Sequence, residues 1–517
     1  MDNKRLTLVA MIFAVAMMFI DQTIVALAVP ELQDDLSLSA TGAQWIINGY
    51  LLALSALFAL GGKLADVLGH RRMVLVGVVG FALFSALCGA TPTGDFGETW
   101  MIFFRILQGA SAALLFPAAL AIVVAAYPLR ERGKALAIFF AATGGLTAVG
   151  PLAGGYLTEW TWRAIFWVNV PVAIVAVVLT LRAKPDQRPR SVPIDYRGAV
   201  LISIAMGLAV LGLQQAAVWG WADPRTIGCI AVGLALLALF VLYQLRTTDP
   251  LIQMRIFAQR AFAADNLVLF LMSAVFVPLF FFASVYAQAS LGYSSSEAGL
   301  FLLVFFGGFA TAAQWGGRIL DSKGAKPAVA LGCIVSALGF WLWGQQLPEM
   351  DFSNQWYYLA LAGAGMGLVL GPVSTDAVNR APRTSYGEVT GVTQTVRNFG
   401  ASLGLAILGS VLISENVRRI DDSLTSRGVP SACAESIAHS ISGGAASAGS
   451  ACGSGGGPTR AMLDAVQLDV AQSTQVVVYA MAGVMVLAFL VARFGMPRGR
   501  VEEQPIVDEE AVAAPAA

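Results

Sequence analysis

Three charged side chains stand deep inside long apolar runs: Asp21, Arg105 and Arg397. An ionisable group at the centre of a bilayer costs about 2.5–3.5 kcal/mol on insertion scales, so it usually faces a cavity or a partner. Asp21 lies about eight residues before the end of the first run near Val29, and Arg105 about five residues into the fourth run from Trp100. At 1.5 Å per residue their depths differ by roughly 5 Å, which permits a pair, direct or through water. A carboxylate that alternates between an arginine, a proton and a cationic solute can couple two fluxes. Burial and a neighbouring cation act on it in opposite senses, so a modest movement switches it. Each net charge moved gains about 2.3 kcal/mol per 100 mV. The plainer alternative is a fixed structural pair. Arg397, in the thirteenth run beside Gln394, Asn398, Gly400, Ser402 and Gly404, either meets an anionic part of a solute, stabilises one closed state, or pairs with Asp376 or an inner helix end.

The elements that carry these residues follow from composition. Of 517 residues, 57% are hydrophobic and 12% charged, against roughly 25% charged in soluble domains. That excludes a soluble enzyme and the disordered, coiled-coil and disulfide-scaffold classes. The mean hydropathy is +0.71. A spanning helix needs about 20 apolar residues. Fourteen runs qualify, near 6–29, 43–61, 73–90, 100–126, 134–157, 164–181, 198–217, 226–244, 262–288, 297–317, 327–344, 356–376, 389–413 and 474–494. Their lengths suit helices, and the short alternating strands of a membrane barrel are missing. The first run resembles a signal peptide in its basic start, but its length and Asp21 predict a retained helix. Lys+Arg and Asp+Glu balance at 32 each, so no nucleic acid or other polyelectrolyte partner is implied.

Orientation follows from the basic residues. With both termini cytoplasmic, 24 of the 32 Lys and Arg fall on inner segments, six fall outside, and Arg105 and Arg397 lie within spans. Four of the six outer ones belong to one long Gly-, Ser- and Ala-rich loop, about 415–473. That loop holds Cys433 and Cys452, which either pair on the oxidising side, contributing roughly 3 kcal/mol, or stay free. Residues 501–517 are acidic and rich in Ala and Pro, and are expected to form a disordered cytoplasmic tail.

The chain repeats itself. Gly62-Lys63-Leu64-Ala65-Asp66-Val67-Leu68-Gly69, followed by His70-Arg71-Arg72, matches Gly317-Arg318-Ile319-Leu320-Asp321-Ser322-Lys323-Gly324 in one register, 255 residues later. Each copy fills a short inner loop after an even-numbered run. Such duplication marks a transporter of two homologous halves, with its solute handled at their interface. Gly62 would allow two helices to approach and Gly69 a backbone turn; Asp66 would accept hydrogen bonds from a helix N-terminus, and Arg71 and Arg72 would reach acidic partners. The alternative is a solvated turn with positive-inside charges.

These loops resemble the signature loop of the major facilitator superfamily. Phe19-Ile20-Asp21-Gln22-Thr23 through Pro30 is similar to the first-helix motif of its fourteen-helix drug:proton antiporter branch. Arg105-Ile106-Leu107-Gln108-Gly109 resembles the fourth-helix arginine motif, and Gly145 through Gly150-Pro151-Leu152-Ala153-Gly154-Gly155 the fifth-helix antiporter motif. Trp162 through Pro171, Leu291-Gly292-Tyr293-Ser294, and Arg397-Asn398-Phe399-Gly400 are also similar to segments of that branch. The likeness spans nearly the whole chain, outside 415–473 and the tail. The signature departs at Val67 and His70, where the family usually places basic residues.

The resemblance implies an all-α polytopic membrane protein with a major-facilitator-type fold. Its parts would be a six-helix half at 1–181, two inserted helices with linkers at 182–261, and a second six-helix half at 262–500. It also implies proton-coupled antiport of amphipathic compounds such as antibiotics or dyes across the cell membrane, with a lipid or specific-metabolite transporter as the alternative. Gly145, Gly150, Pro151, Gly154 and Gly155 would form a hinge and seal, or simply a close helix contact. Met17, Gln108, Phe116, Phe281, Phe305, Gln394 and Arg397 are candidates for the cavity wall, since soft apolar and aromatic groups tolerate varied shapes. The tryptophans near outer ends, Trp162 among them, read as interfacial anchors. His70 and His439 are the two histidines, no metal-ligand spacing occurs, and no GxxxxGK[ST] loop for ATP is present. Neither cofactor nor metal is therefore expected, and the chain is expected to work as a monomer.

Overall fold

The computed structural model describes residues 3–127 (except 95), 149–184, 193–379, 386–427, 429–431, 434 and 460–499, with single positions between 135 and 146. No strand occurs among them. The helices are α1 (Asn3–Leu36), α2 (Ala40–Leu68), α3 (His70–Gly89), α4 (Gly97–Ala126), α5 (described over Val149–Trp160), α6 (Ala164–Ala183, with a turn at Val168) and α7 (Tyr196–Trp219). Then come α8 (Pro224–Arg246), α9 (Arg260–Ala289), α10 (Ser295–Lys323), α11 (Ala325–Gln346), α12 (Trp356–Asn379), α13 (Tyr386–Ser426) and α14 (Arg460–Gly495). Thirteen are long and apolar enough to cross a membrane, and the described part of α5 falls in the fifth apolar run.

The internal repeat of the sequence is a repeat of packing. α2 lies on α4 and α3 on α4, as α10 lies on α12 and α11 on α12. α1 lies on α5 and α6, as α9 lies on α13 and α14. The two signature segments, expected as short loops, are instead the helical last turns of α2 and α10, and only their final glycines turn the chain: Gly69 (φ 96°) and Gly324 (φ 85°) each end one helix and begin the next in a conformation that L side chains rarely adopt. The close helix approach falls one residue before the expected position: a Cβ on Gly61 would strike the Ala113 carbonyl, whereas one on Gly62 would sit 3.7 Å from Pro117. Asp66 faces His70 Nε2 at 3.1 Å. Among the described residues, neither Arg71 nor Arg72 forms an ion pair.

α1 and α9 are the most enclosed spans, with 78% and 83% of their apolar windows buried, so any polar group on them must find its partner inside the protein. α7 packs on α8 and also touches α2 and α13, which sets the inserted pair against the seam between the halves.

The expected loop over 415–473 is shorter than the composition suggests. α13 runs on to Ser426 and α14 already begins at Arg460. At 1.5 Å per residue the 41 residues of α13 extend about 60 Å, twice the hydrocarbon thickness. The extensions pair because Ile420 and Leu424 on one, and Val466 and Val470 on the other, form four-residue-spaced apolar stripes that bury each other. Arg419 Nη1 donates to Gln472 Oε1 at 2.8 Å across them. Cys433 and Cys452 lie outside the described residues.

Candidate functional site

Asp21, midway along α1, has no access to solvent, and neither does Arg105 on α4. Arg105 Nη1 donates to Asp21 Oδ2 at 2.7 Å and to Gln108 Oε1 at 2.7 Å. Gln108 Nε2 donates in turn to Asp21 Oδ1 at 3.0 Å, and Arg105 Nε to the Ile46 carbonyl of α2 at 2.9 Å. The three-residue spacing of Arg105 and Gln108 puts both on one face of α4. The guanidinium lies 4.5 Å from the Tyr50 ring centre and 5.9 Å from that of Phe166. Aromatic faces and one carboxylate thus enclose the cation, the arrangement that makes burial of a charge tolerable.

The other candidates divide. Met17, Phe116, Phe281 and Phe305 are buried in the apolar core. Phe116 packs against Phe19, Phe58 and Phe139, beneath the charge pair. Phe305 belongs to a second aromatic cluster with Phe276, Phe280, Phe306 and Phe309. Gln394 and Arg397 are partly exposed, and Arg397 has no ion-pair or hydrogen-bond partner among the described residues. Asp265 and Asp376 are as deeply buried as Asp21. Trp162, expected to anchor in the interface, is 5% exposed and donates to Asp35 Oδ2 at 2.9 Å.

The antiporter-like segment meets both α1 and the opposite half. A Cβ on Gly150 would strike Thr23, and one on Gly154 would reach the Ile24 carbonyl of α1 at 3.0 Å. On the other side, a Cβ on Gly155 would lie 2.6 Å from the Ser295 carbonyl of α10. Gly299 of α10 likewise rests on the Pro151 carbonyl. Gly145 lies outside the described residues. Beside this contact, Ser295 Oγ donates to Glu31 Oε1 at 2.7 Å, Ser296 Oγ to Glu159, and Gln288 Nε2 to the Leu27 carbonyl at 3.2 Å. The halves are joined at this end by polar contacts as well as by close backbones.

A second buried junction has no counterpart in the sequence-based site. Asn48 of α2 donates through Nδ2 to Gln214 Oε1 of the inserted α7 at 2.6 Å and accepts from Ser402 Oγ of α13 at 2.7 Å. Ser55 Oγ donates to the Thr395 carbonyl at 2.9 Å one step deeper. Asn48, Gln214 and Ser402 are fully buried, so one amide ties both halves and the insert together. The available signal was a polar side chain within each apolar run: Asn48, Gln214 and Ser402.

Comparison with known proteins adds the following. Residues 11–405 match the family model described as Major Facilitator Superfamily. The chain is 36% identical to the tetracenomycin C resistance and export protein of Streptomyces glaucescens, over 79% of this chain and 76% of that one. It is 33% identical to a puromycin resistance protein of Streptomyces alboniger, over 84% and 86% of the two chains. Among solved structures, an inward-facing bacterial homologue of the human lysosomal transporter Spinster aligns with a TM-score of 0.62 at 16% identity, covering 95% of this chain and 97% of that one. A D-xylose–proton symporter aligns at 0.60 and 14% identity, covering 96% and 98%; these two likenesses concern the fold.

Proposed function

We propose that this chain, which belongs to the Major Facilitator Superfamily, exports amphipathic organic compounds of the antibiotic class in exchange for protons. It is a multi-pass membrane transporter and not an enzyme. Its halves are 1–181 and 262–500, with 182–261 as an insert, and both termini face the cytoplasm, as the positive-inside distribution of Lys and Arg supports.

The observation that carries the reading is the Asp21–Arg105–Gln108 centre, read beside relatives named for antibiotic resistance and export. Asp21 is a carboxylate held by one cation and one amide in an apolar surround. A proton arriving on Asp21 neutralises it, weakens its hold on Arg105, and releases a solute cation that shared the charge. Loss of that proton on the other side restores the carboxylate and readies the site for reloading. The contact between α5 and α10, with the Ser295–Glu31 and Ser296–Glu159 hydrogen bonds, acts as the seal that must open for release. Solutes change sides as the halves rock about a site near mid-bilayer.

The test is a proteoliposome assay with an imposed pH gradient and a panel of lipophilic cations, neutral antibiotics and lipids. Gradient-dependent flux of antibiotics or cations that vanishes on collapsing the gradient is the expected result. Flux of lipids alone, or no dependence on the gradient, would reject the proposal.

A further inference from the structure

At one end of the second half, four cations converge from three helices. Arg260 begins α9, Lys326 stands at the start of α11, and Arg493 and Arg498 lie at and just beyond the end of α14. They line a cavity of about 620 Å³ together with Phe494 and Met496. Two of the cations are pinned to backbone at the end of α14: Arg260 Nη2 donates to the Phe494 carbonyl at 2.9 Å, and Lys326 Nζ to the Met496 carbonyl at 2.7 Å. The other two donate no hydrogen bond within the described protein; Arg493 stands 5.7 Å from the Phe494 ring. Arg493, Arg498 and Arg260 all repel the Lys326 ammonium. Among the described residues, no carboxylate pairs with any of the four.

A positive-inside bias accounts for a cation at each helix end, but not for four facing one concavity without a counter-charge. The cavity at the opposite face makes the contrast. There Arg418 and Arg419 share the wall with Asp422 and Asp469, and Glu415 pairs with both arginines at 2.5 and 3.2 Å. The basic cavity also opens onto an apolar track. Phe494, Leu490, Leu487 and Val486 are 68%, 43%, 49% and 49% exposed and climb one side of α14 from the cavity toward mid-membrane. Fixed cations at the head and a greasy stripe along the shaft match an anionic headgroup and its acyl chains.

We propose that this cavity is a binding site for one anionic phospholipid, its phosphate held by Arg493, Arg498 and the pinned Arg260 and Lys326, and its chains lying along α14. Its assignment to the cytoplasmic leaflet rests on the orientation proposed above, whereas lipid binding itself is independent of export through Asp21. The bound lipid bridges α9, α11 and α14 and so braces the end of the second half.

The full chain, purified in mild detergent, is exposed to phosphatidylglycerol or to phosphatidylcholine with the same acyl chains, and retained lipid is counted by native mass spectrometry. Each cation near an anionic headgroup is worth roughly fivefold in affinity, so R493Q/R498Q is expected to weaken phosphatidylglycerol retention roughly 25-fold. Neither arginine holds the described fold together by a hydrogen bond, so the double variant stays folded, and R418Q serves as the unaffected control. Equal retention of the two lipids, or unchanged retention in R493Q/R498Q, would overturn the site. Displacement by millimolar inorganic phosphate would assign it to a free anion. Retention that appears only when residues 501–517 are deleted would assign it to the chain's own acidic tail.

Discussion

Arg105 reaches Asp21 from a different helix, at 2.7 Å, with both side chains sealed from solvent. Two charges buried together are strongly interdependent: removing one leaves the other uncompensated at a cost of about 3–5 kcal/mol, whereas removing both costs much less. R105Q should therefore unfold at a clearly lower temperature in detergent, and D21N/R105Q should recover part of that loss. A double variant no more stable than the sum of its parts would mean that the two side chains do not act as a pair.

Transport separates coupling from architecture at the same centre. D21N keeps one acceptor oxygen for Arg105 but sets an NH2 against the Gln108 donor, and it loses the charge and the exchangeable proton. Export by D21N in proteoliposomes should become insensitive to the pH gradient and fall to the level of passive leak. Full gradient-driven export by D21N would remove Asp21 from the proton path.

Asn48 is the second point of dependence. N48V leaves the Gln214 oxygen and the Ser402 hydroxyl without their buried partner, at about 1–3 kcal/mol for each orphaned group. S402A removes one of those bonds and should cost less. Thermal melts of the two variants in the same detergent test the order; an S402A melt below that of N48V contradicts it.

The contact between α5 and α10 tolerates no extra carbon. G155V would press a branched side chain into the Ser295 and Ser296 backbone, a strain of about 1–3 kcal/mol or more in the closed arrangement. G207V, at a glycine with open space around it, is the matched control. A spin-label pair at the Trp160 end of α5 and the Ser295 end of α10 should report a larger separation in G155V than in G207V, and identical distance distributions would show that the seal accommodates the change.

The serines beside that contact give a milder version. S295A/S296A removes the donors to Glu31 and Glu159 but leaves the backbones in contact. The same label pair should show an increased open population, smaller than in G155V. No shift would leave the close glycine packing as the whole of the seal.

Thirteen of the fourteen expected spans, the repeat and the charge centre are legible because each rests on local composition or simple depth arithmetic. Asp21 and Arg105 could be brought to similar heights by counting residues along opposed helices. Gln108 was named as a wall residue, and its place between the two charges follows from its three-residue offset from Arg105. What counting cannot supply is the lateral neighbour. That Ile46 lends a carbonyl, that Tyr50 faces the guanidinium, and that Asn48 meets Gln214 and Ser402 all depend on which helices touch. The tight helix approach at Gly61 rather than Gly62 is a matter of rotation about the helix axis, which adjacent glycines in sequence leave open. The paired extensions at the end of α13 and the start of α14 are hidden because each carries a narrow apolar stripe on a segment whose average is polar.

The inserted helices make the two flanks of the molecule unequal. α7 leans on both α2 and α13, and its Gln214 is hooked to Asn48, so this flank of the interior is walled from the surrounding lipid by extra protein. The flank where α5 meets α10 has no such screen among the described helices. The wall is thus two helices deep where α7 stands, and a single tight seam of glycine against backbone where α5 meets α10.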